Sequence, residues 1–241
     1  MAVLTPLLIA VLLMFGFMVS ACSYNADSFG TDNAADNREY IQLPPPVTEG
    51  VMSLEESIYK RVSRRSFSGK ELSLEQAGQI LWAAQGLNVD SLTGASRTAP
   101  SAGATYPMEI YLVAGNIKGL PAGLYHYQYM VHSLELVTAE DYRGDLAAAA
   151  LDQSYIADAP ASIVLAAVYD RTTSRYGERG LRYVHMEAGH ITQNILLQCE
   201  SLNLGAVAVG AFNDQQVRAL LNLDEEPLMI VPFGQISSRQ Q

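Results

Sequence analysis

The chain has 241 residues, 49% of them hydrophobic, which is enough for one large domain or two small ones with a real core. With 15 Lys and Arg against 25 Asp and Glu its formal charge is −10, which argues against a general nucleic-acid binder, since such proteins need a basic surface. Its two cysteines, Cys22 and Cys199, supply neither a disulfide framework nor a paired-cysteine metal site, and no metal is expected.

Residues 2–19 are almost wholly apolar and run into Val19-Ser20-Ala21-Cys22, the pattern of an export signal. The small residues before the cysteine resemble a bacterial lipobox. By that resemblance the signal (1–21) is cut before Cys22, which carries the lipid, and each buried CH₂ adds roughly 0.8 kcal/mol of anchoring. No Lys or Arg precedes the apolar run. An uncleaved anchor long enough to span a bilayer therefore stays open as the alternative. Either form holds the chain at a membrane of the bacterial cell envelope. Ser23 after Cys22 resembles the outer-membrane class, facing the periplasm in a Gram-negative cell. Residues 22–50, polar and then Pro44-Pro45-Pro46, read as a flexible tether. The folded domain is expected over 51–241.

Ser53-Leu54-Glu55-Glu56 reads as a capping box opening a helix with Leu54, Ile58 and Val62 at helical spacing. Ser73-Leu74-Glu75-Gln76 opens a second helix, closed by Gly86. A polar loop from Asn88 to Tyr106 precedes a strand with Met108, Ile110 and Leu112. Leu124–Tyr129 and Leu134–Val137 form a hairpin. Asp145–Leu151 is expected to be helical, Ser162–Val168 a buried strand, and Leu181–Leu202 the longest helix, with Cys199 as an inert buried thiol. Gly205–Ala211 is a short strand, Asn213 caps another helix, and Leu228–Phe233 is the last strand. Mixed helices and strands with an antiparallel hairpin define an α+β domain.

Two segments carry chemistry. Residues 60–70 hold five of the 15 cations, no acid and three serines, at a helix end where exposed carbonyls favour cations. An acidic protein that concentrates cations and hydroxyls this way builds an anion site, most simply for phosphate, or else a solvated basic face. Residues 97–107, Arg97-Thr98-Ala99-Pro100-Ser101-Ala102-Gly103-Ala104-Thr105-Tyr106-Pro107, form a loop stiffened by two prolines. Its accessible amides can lie against a planar ligand.

Together these segments resemble the nitroreductase-like flavoprotein family. Within it, the SagB-type azoline-forming dehydrogenase branch is matched by Ala99–Pro107 and by Gly123-Leu124-Tyr125-His126-Tyr127. Arg175-Tyr176-Gly177-Glu178-Arg179-Gly180, Glu187-Ala188-Gly189-His190 and Gln193-Asn194 complete that match. The resemblance spans Ser53 to Gln235. It implies a central, mainly antiparallel sheet flanked by helices, and an intertwined homodimer with FMN at each subunit interface. Arg61, Ser63 and Arg65 would hold the flavin phosphate and ribityl chain. Pro100, Ser101, Ala102 and Gly103 of the other subunit would approach the flavin, and Gly210 and Ala211 would back its ring. Arg64 and Lys70 are left as surface charge.

A Lys-Tyr pair serves azoline dehydrogenases, and the matching positions here are Arg175 and Tyr176. Arginine stays charged and is a poor base. Tyr176 remains a candidate catalytic acid or base. The expected activity is FMN-dependent hydride transfer to or from a small organic substrate such as a quinone or nitroaromatic. An azoline-type peptide dehydrogenase and a non-catalytic flavin-binding lipoprotein are the alternatives. Glu187 and His190, three apart on the long helix, are expected to touch each other at the dimer interface. Trp82 is expected in the core, and the Tyr-rich hairpin is read as packing or a substrate wall.

Overall fold

The computed structural model describes residues 39–88 and 96–237, so the signal segment, Cys22 and most of the tether lie outside the described residues. In chain order the main elements are β1 (Tyr40–Gln42), α1 (Leu54–Lys60), α2 (Leu74–Gln85), β2 (Leu87–Asn88), β3 (Ser96–Arg97), β4 (Met108–Ala114), β5 (Gly123–Gln128) and β6 (Ser133–Thr138). These are followed by α3 (Arg143–Ala149), α4 (Tyr155–Asp158), β7 (Ala161–Ala167), α5 (Asp170–Tyr176), α6 (Arg179–Ser201), β8 (Gly205–Ala206), α7 (Asp214–Leu220) and β9 (Glu226–Gly234). Seven strands form one antiparallel sheet in the order β1-β6-β5-β4-β7-β9-β8, while β2 and β3 make a separate small hairpin. Among the described residues no helix is long and apolar enough to cross a membrane.

The central strands are apolar on both faces because helices cover both. Ile110, Leu112, Ile163, Leu165, Val231 and Phe233 pack with Ile80 and Leu81 of α2 and with Val184, Ile191, Ile195 and Cys199 of α6. On the opposite face Tyr111, Val113, Val164 and Ile230 meet Leu146 of α3, Ile156 of α4 and Val217 of α7. This two-sided burial explains why β7 is buried at every position. Cys199 lies within the first cluster, and burial pushes its thiol pKa up, as expected of an inert cysteine.

Several expectations need correction. The tether does not extend to residue 50: Tyr40–Gln42 pair with β6, and Leu43, 2% exposed, is part of the core. A three-residue strand beside three prolines carries no local signal. Its pairing is fixed from a distance, by Leu43 N–H donating to His132 O (3.1 Å) and Gln42 Nε2 to Val131 O (3.0 Å). The capping box of α2 is complete, with Ser73 Oγ accepting from Gln76 N–H and Gln76 Oε1 accepting from Ser73 N–H. That of α1 is half made, because Glu56 turns to Lys60 instead (2.5 Å). The α1 spacing is helical, yet Leu54, Ile58 and Val62 are 61%, 56% and 48% exposed, so in one chain this stripe covers no core. Trp82 is only half-buried, with its Nε1 donating to Leu87 O (2.9 Å). The strand expected over Gly205–Ala211 pairs fully only at Gly205–Ala206. Val207 faces Pro232, which has no N–H to return, and pairing resumes as a single bridge between Val209 and Ile230.

Candidate active site

The basic segment leaves α1 at Arg61, whose N–H closes the helix on Ser57 O (3.0 Å). It then runs extended past the sheet, pinned by backbone bonds from Arg64 N–H to Ala206 O (3.0 Å), Ser237 N–H to Ser66 O (3.1 Å) and Ser68 N–H to Gln235 O (2.8 Å). These contacts sort the cations. Arg64 turns inward over Gly205 and approaches Glu200 of α6 (3.9 Å), so it is a packed residue and not the plain surface charge expected. Ser63 and Arg65 stay exposed and Arg61 half-buried, and none of the three side chains makes a hydrogen bond or ion pair among the described residues. Burial raises the pKa of Glu200, opposed by the nearby charges of Arg64, Lys60 and Arg61. The cations therefore already act on one carboxylate, while the donors of Arg61 and Arg65 stay unspent among the described residues.

The Pro100–Gly103 turn is held from beneath. Ala99 is buried, Thr98 N–H donates to Gly86 O (2.9 Å), and Asn194 Nδ2 of α6 donates to Thr98 O (3.2 Å). Ser101 Oγ accepts the N–H of Tyr106 (2.9 Å), which ties the two ends of the turn together. Gly103, Ala104 and Tyr106 all have left-handed backbone, with φ of 60°, 53° and 45°. Arg97 braces the base, its guanidinium 3.5 Å from the ring centre of Tyr129 and 4.3 Å from that of Tyr106. On the outer side Arg175 Nη1 donates to Gly103 O (3.0 Å), and the Tyr176 hydroxyl lies against Gly103. The sequence-predicted Tyr176 and the Pro-Ser turn thus meet in one place. Gly210 and Ala211 are exposed, and a side chain added at Gly210 would meet only open space, as a surface backing a planar ring requires.

The structure does not pair Glu187 with His190. Glu187 is 2% exposed and faces inward, taking a hydrogen bond from Gln85 Nε2 (3.4 Å) and lying near Ser101, while His190 is exposed. The signal was present in the sequence: Glu187 falls within the apolar stripe Val184, Ala188, Ile191 and Ile195 of α6. Burial pushes its carboxyl up to about 7, held down in part by the nearby Ser101 hydroxyl and the Arg97 charge. Because the folded pKa exceeds the ordinary 4.5, the folded state binds the extra proton between those values, and stability falls as pH rises from 4.5 to 7. Glu187→Gln removes that dependence. Between pH 5 and pH 8 the wild type should lose stability relative to the variant, by on the order of 2 kcal/mol at most. Parallel denaturant melts at the two pH values measure it, and an unchanged gap would refute the assignment.

A polar chain joins the turn to the hairpin. Arg171 Nη1 donates to Tyr106 O (3.1 Å), its Nη2 pairs with Glu109 Oε1 (2.5 Å), and Glu109 Oε2 meets His126 Nε2 (2.7 Å). Burial alone would raise the Glu109 pKa, but His126 and Arg171 outweigh it and hold it below the ordinary value. Tyr125 and Tyr127 are buried, so the hairpin is packing on that face. A cavity of about 710 Å³ opens elsewhere, lined among others by Val51, Leu54, Trp82, Asn194 and Gln198. It is continuous with the exposed α1 stripe and includes none of Arg61, Ser63, Arg65 or residues 100–103.

Ser101 sits over Glu187 and Arg64 over Glu200, so the two halves of the site lie about 20 Å apart along α6 at 1.5 Å per residue. Unspent cations and serine at one end, and a glycine turn with exposed amides at the other, fit the phosphate and the ring of a flavin nucleotide.

The chain belongs to the nitroreductase family of oxidoreductases, whose profile it matches over residues 58–235. It is 44% identical over 194 residues to a nitroreductase-like protein of Methanocaldococcus jannaschii, covering 80% of this chain and 95% of the relative. The crystal structure of a nitroreductase-like protein from Ralstonia eutropha superposes with a TM-score of 0.71 at 34% identity, over 83% of this chain and 90% of that one. The chain is also 28% identical to the microcin B17-processing protein McbC of Escherichia coli, over 58% of this chain and 55% of that protein. These likenesses bear out the α+β, antiparallel nitroreductase-like fold.

Proposed function

We propose that this protein is an FMN-dependent oxidoreductase at a bacterial envelope membrane, passing hydride to or from a small organic substrate such as a quinone or nitroaromatic. The observation that carries the flavin reading is the set of uncommitted side chains, Arg61, Ser63 and Arg65, on a backbone pinned at residues 64, 66 and 68. When bound, FMN supplies the hydride chemistry. Arg61 and Arg65 would grip its phosphate with charge-assisted bonds, and Ser63 would add a neutral donor. Backbone amides of residues 101–103 would approach its ring, Gly210 and Ala211 would back it, and Tyr176 would hold or deliver a proton beside Gly103.

In this reading two copies pair, so that the basic segment of one meets the Pro100–Gly103 turn of the other. The separation of the two halves along α6 supports it. So does the apolar surface left bare at Val51 (99% exposed), Leu54, Ile58 and Val62 beside the cavity described above, which a partner would cover. Anchoring would come through lipid on Cys22, or through the uncleaved apolar segment.

The likeness to McbC favours a second reading, an azoline-type peptide dehydrogenase. Against it, Arg175 stands where that branch has lysine, and its guanidinium is engaged by Gly103 O. A third reading, a flavin-binding lipoprotein without turnover, shares the same cofactor site.

The purified protein should be yellow and release FMN on denaturation, and its dithionite-reduced flavin should be reoxidised by a quinone or nitroarene. A colourless protein that takes up no added FMN refutes the flavin site. A yellow protein reoxidised by no quinone or nitroarene refutes the small-acceptor activity. Recovery from the soluble fraction of its native cell, with Cys22 unmodified, would refute the anchor.

A further inference from the structure

A second concentration of cations is left unused by the flavin reading. Residues 170–182 carry four arginines, at 171, 175, 179 and 182, against two acids, Asp170 and Glu178. Arg171 is committed to Glu109 and to Tyr106 O. The other three are exposed, and Arg182 makes no hydrogen bond, ion pair or ring contact among the described residues.

Two tyrosines stand among them. Tyr176 and Tyr183 meet edge to face with ring centres 5.2 Å apart. The Arg179 guanidinium lies 5.8 Å from the Tyr183 ring centre, and that of Arg175 lies 5.4 Å from the Tyr176 ring centre while bonding Gly103 O. The corner between α5 and α6 therefore holds a pair of tyrosine rings flanked by guanidiniums, set directly against the turn of the site.

We propose that this corner selects the substrate, binding acceptors that combine an aromatic ring with a carboxylate or similar anion. This rests on the oxidoreductase reading above and deepens it. The tyrosines offer apolar ring surface, and Arg179 and Arg182 offer unspent planar donors matched to a carboxylate. The selection is local, because a protein of formal charge −10 repels anions at long range. Glu178 lies in the same stretch and weakens the patch without cancelling it.

The test uses FMN-loaded, full-length protein with 4-nitrobenzoate and its uncharged methyl ester. The ester is the more electron-poor and more easily reduced of the two, so any preference for the carboxylate must come from binding. Calorimetric titration of the oxidised protein should show 4-nitrobenzoate binding about tenfold tighter than the ester, the scale of an exposed charged hydrogen bond. The preference should shrink in high salt and collapse toward unity in Arg179→Gln/Arg182→Gln, but persist in Arg218→Gln, whose cation pairs with Glu226 elsewhere.

Equal or weaker binding of the carboxylate overturns the proposal, as does a preference that survives the double variant. Reoxidation of dithionite-reduced flavin is followed separately. Each nitro group takes two electrons and two protons to give the nitroso compound and water. Turnover without carboxylate preference rejects the selective corner and keeps the activity, whereas preferential binding without turnover supports the corner and rejects the activity.

Discussion

Replacing Arg61 and Arg65 together by alanine is expected to weaken FMN binding by at least about a hundredfold, since each removes a charge-assisted bond worth roughly tenfold or more. Thermal stability of the FMN-free protein should stay near that of the FMN-free parent, because neither side chain has a hydrogen bond or ion pair to lose within the described residues. Arg64→Ala should show the reverse pattern. That residue packs over Gly205 and approaches Glu200, whose burial already raises its pKa, so its removal leaves a carboxylate with less compensation. Stability should fall while the phosphate contacts survive. Titrating FMN by quenching of its fluorescence, alongside thermal melts, separates the two. Unchanged affinity in the double variant would refute the phosphate assignment, and an affinity loss confined to Arg64→Ala would move it to the inward-facing residue.

Gly103→Ala is expected to have the second largest effect. Its φ of 60° costs an alanine about 1 kcal/mol of backbone strain. The added Cβ would also overlap the Tyr176 hydroxyl and stand 2.7 Å from Arg175 Nη1. The far ends of Tyr176 and Arg175 must swing away, which breaks the Arg175 bond to Gly103 O. That takes the tyrosine hydroxyl off the turn, so turnover should drop by up to about a hundredfold, the cost of roughly 1 Å of misplacement. Gly119→Ala is the matched control. It has a φ of 77° but open space around it, so it carries strain without a clash. A Gly103→Ala enzyme with parental kcat/KM would show that the turn and Tyr176 take no part in the chemistry.

How much of this was legible in the sequence follows from which interactions are local. Ser73 and Gln76 announce α2 because their reciprocal bonds span three residues, and the Tyr125/Tyr127 alternation announces a strand because the period is its own evidence. The α5 helix was hidden. Its Thr172, Thr173 and Ser174 are poor helix formers, and Thr172 is held by Thr105 across 67 residues (2.7 Å). The same holds at the site. Composition found the cation cluster, but only backbone pairing with β8 and the chain end shows that Arg64 turns in while Arg65 stays out. Helical spacing placed Glu187 beside His190, yet its partners, Ser101 and Gln85, come from other elements.

The short strand β1 has a consequence for anyone handling the domain. Cutting the chain at the first strong helix signal, near residue 51, would strip Tyr40–Gln42 from β6 and take Leu43 out of its seat against the core. The outer rim of β6 would then present unpaired amides and carbonyls to any extended chain nearby, a template for sheet-to-sheet aggregation. Three residues that look like linker therefore act as a stopper, and a soluble fragment that keeps residues 39–43 should remain dispersed where a shorter one precipitates.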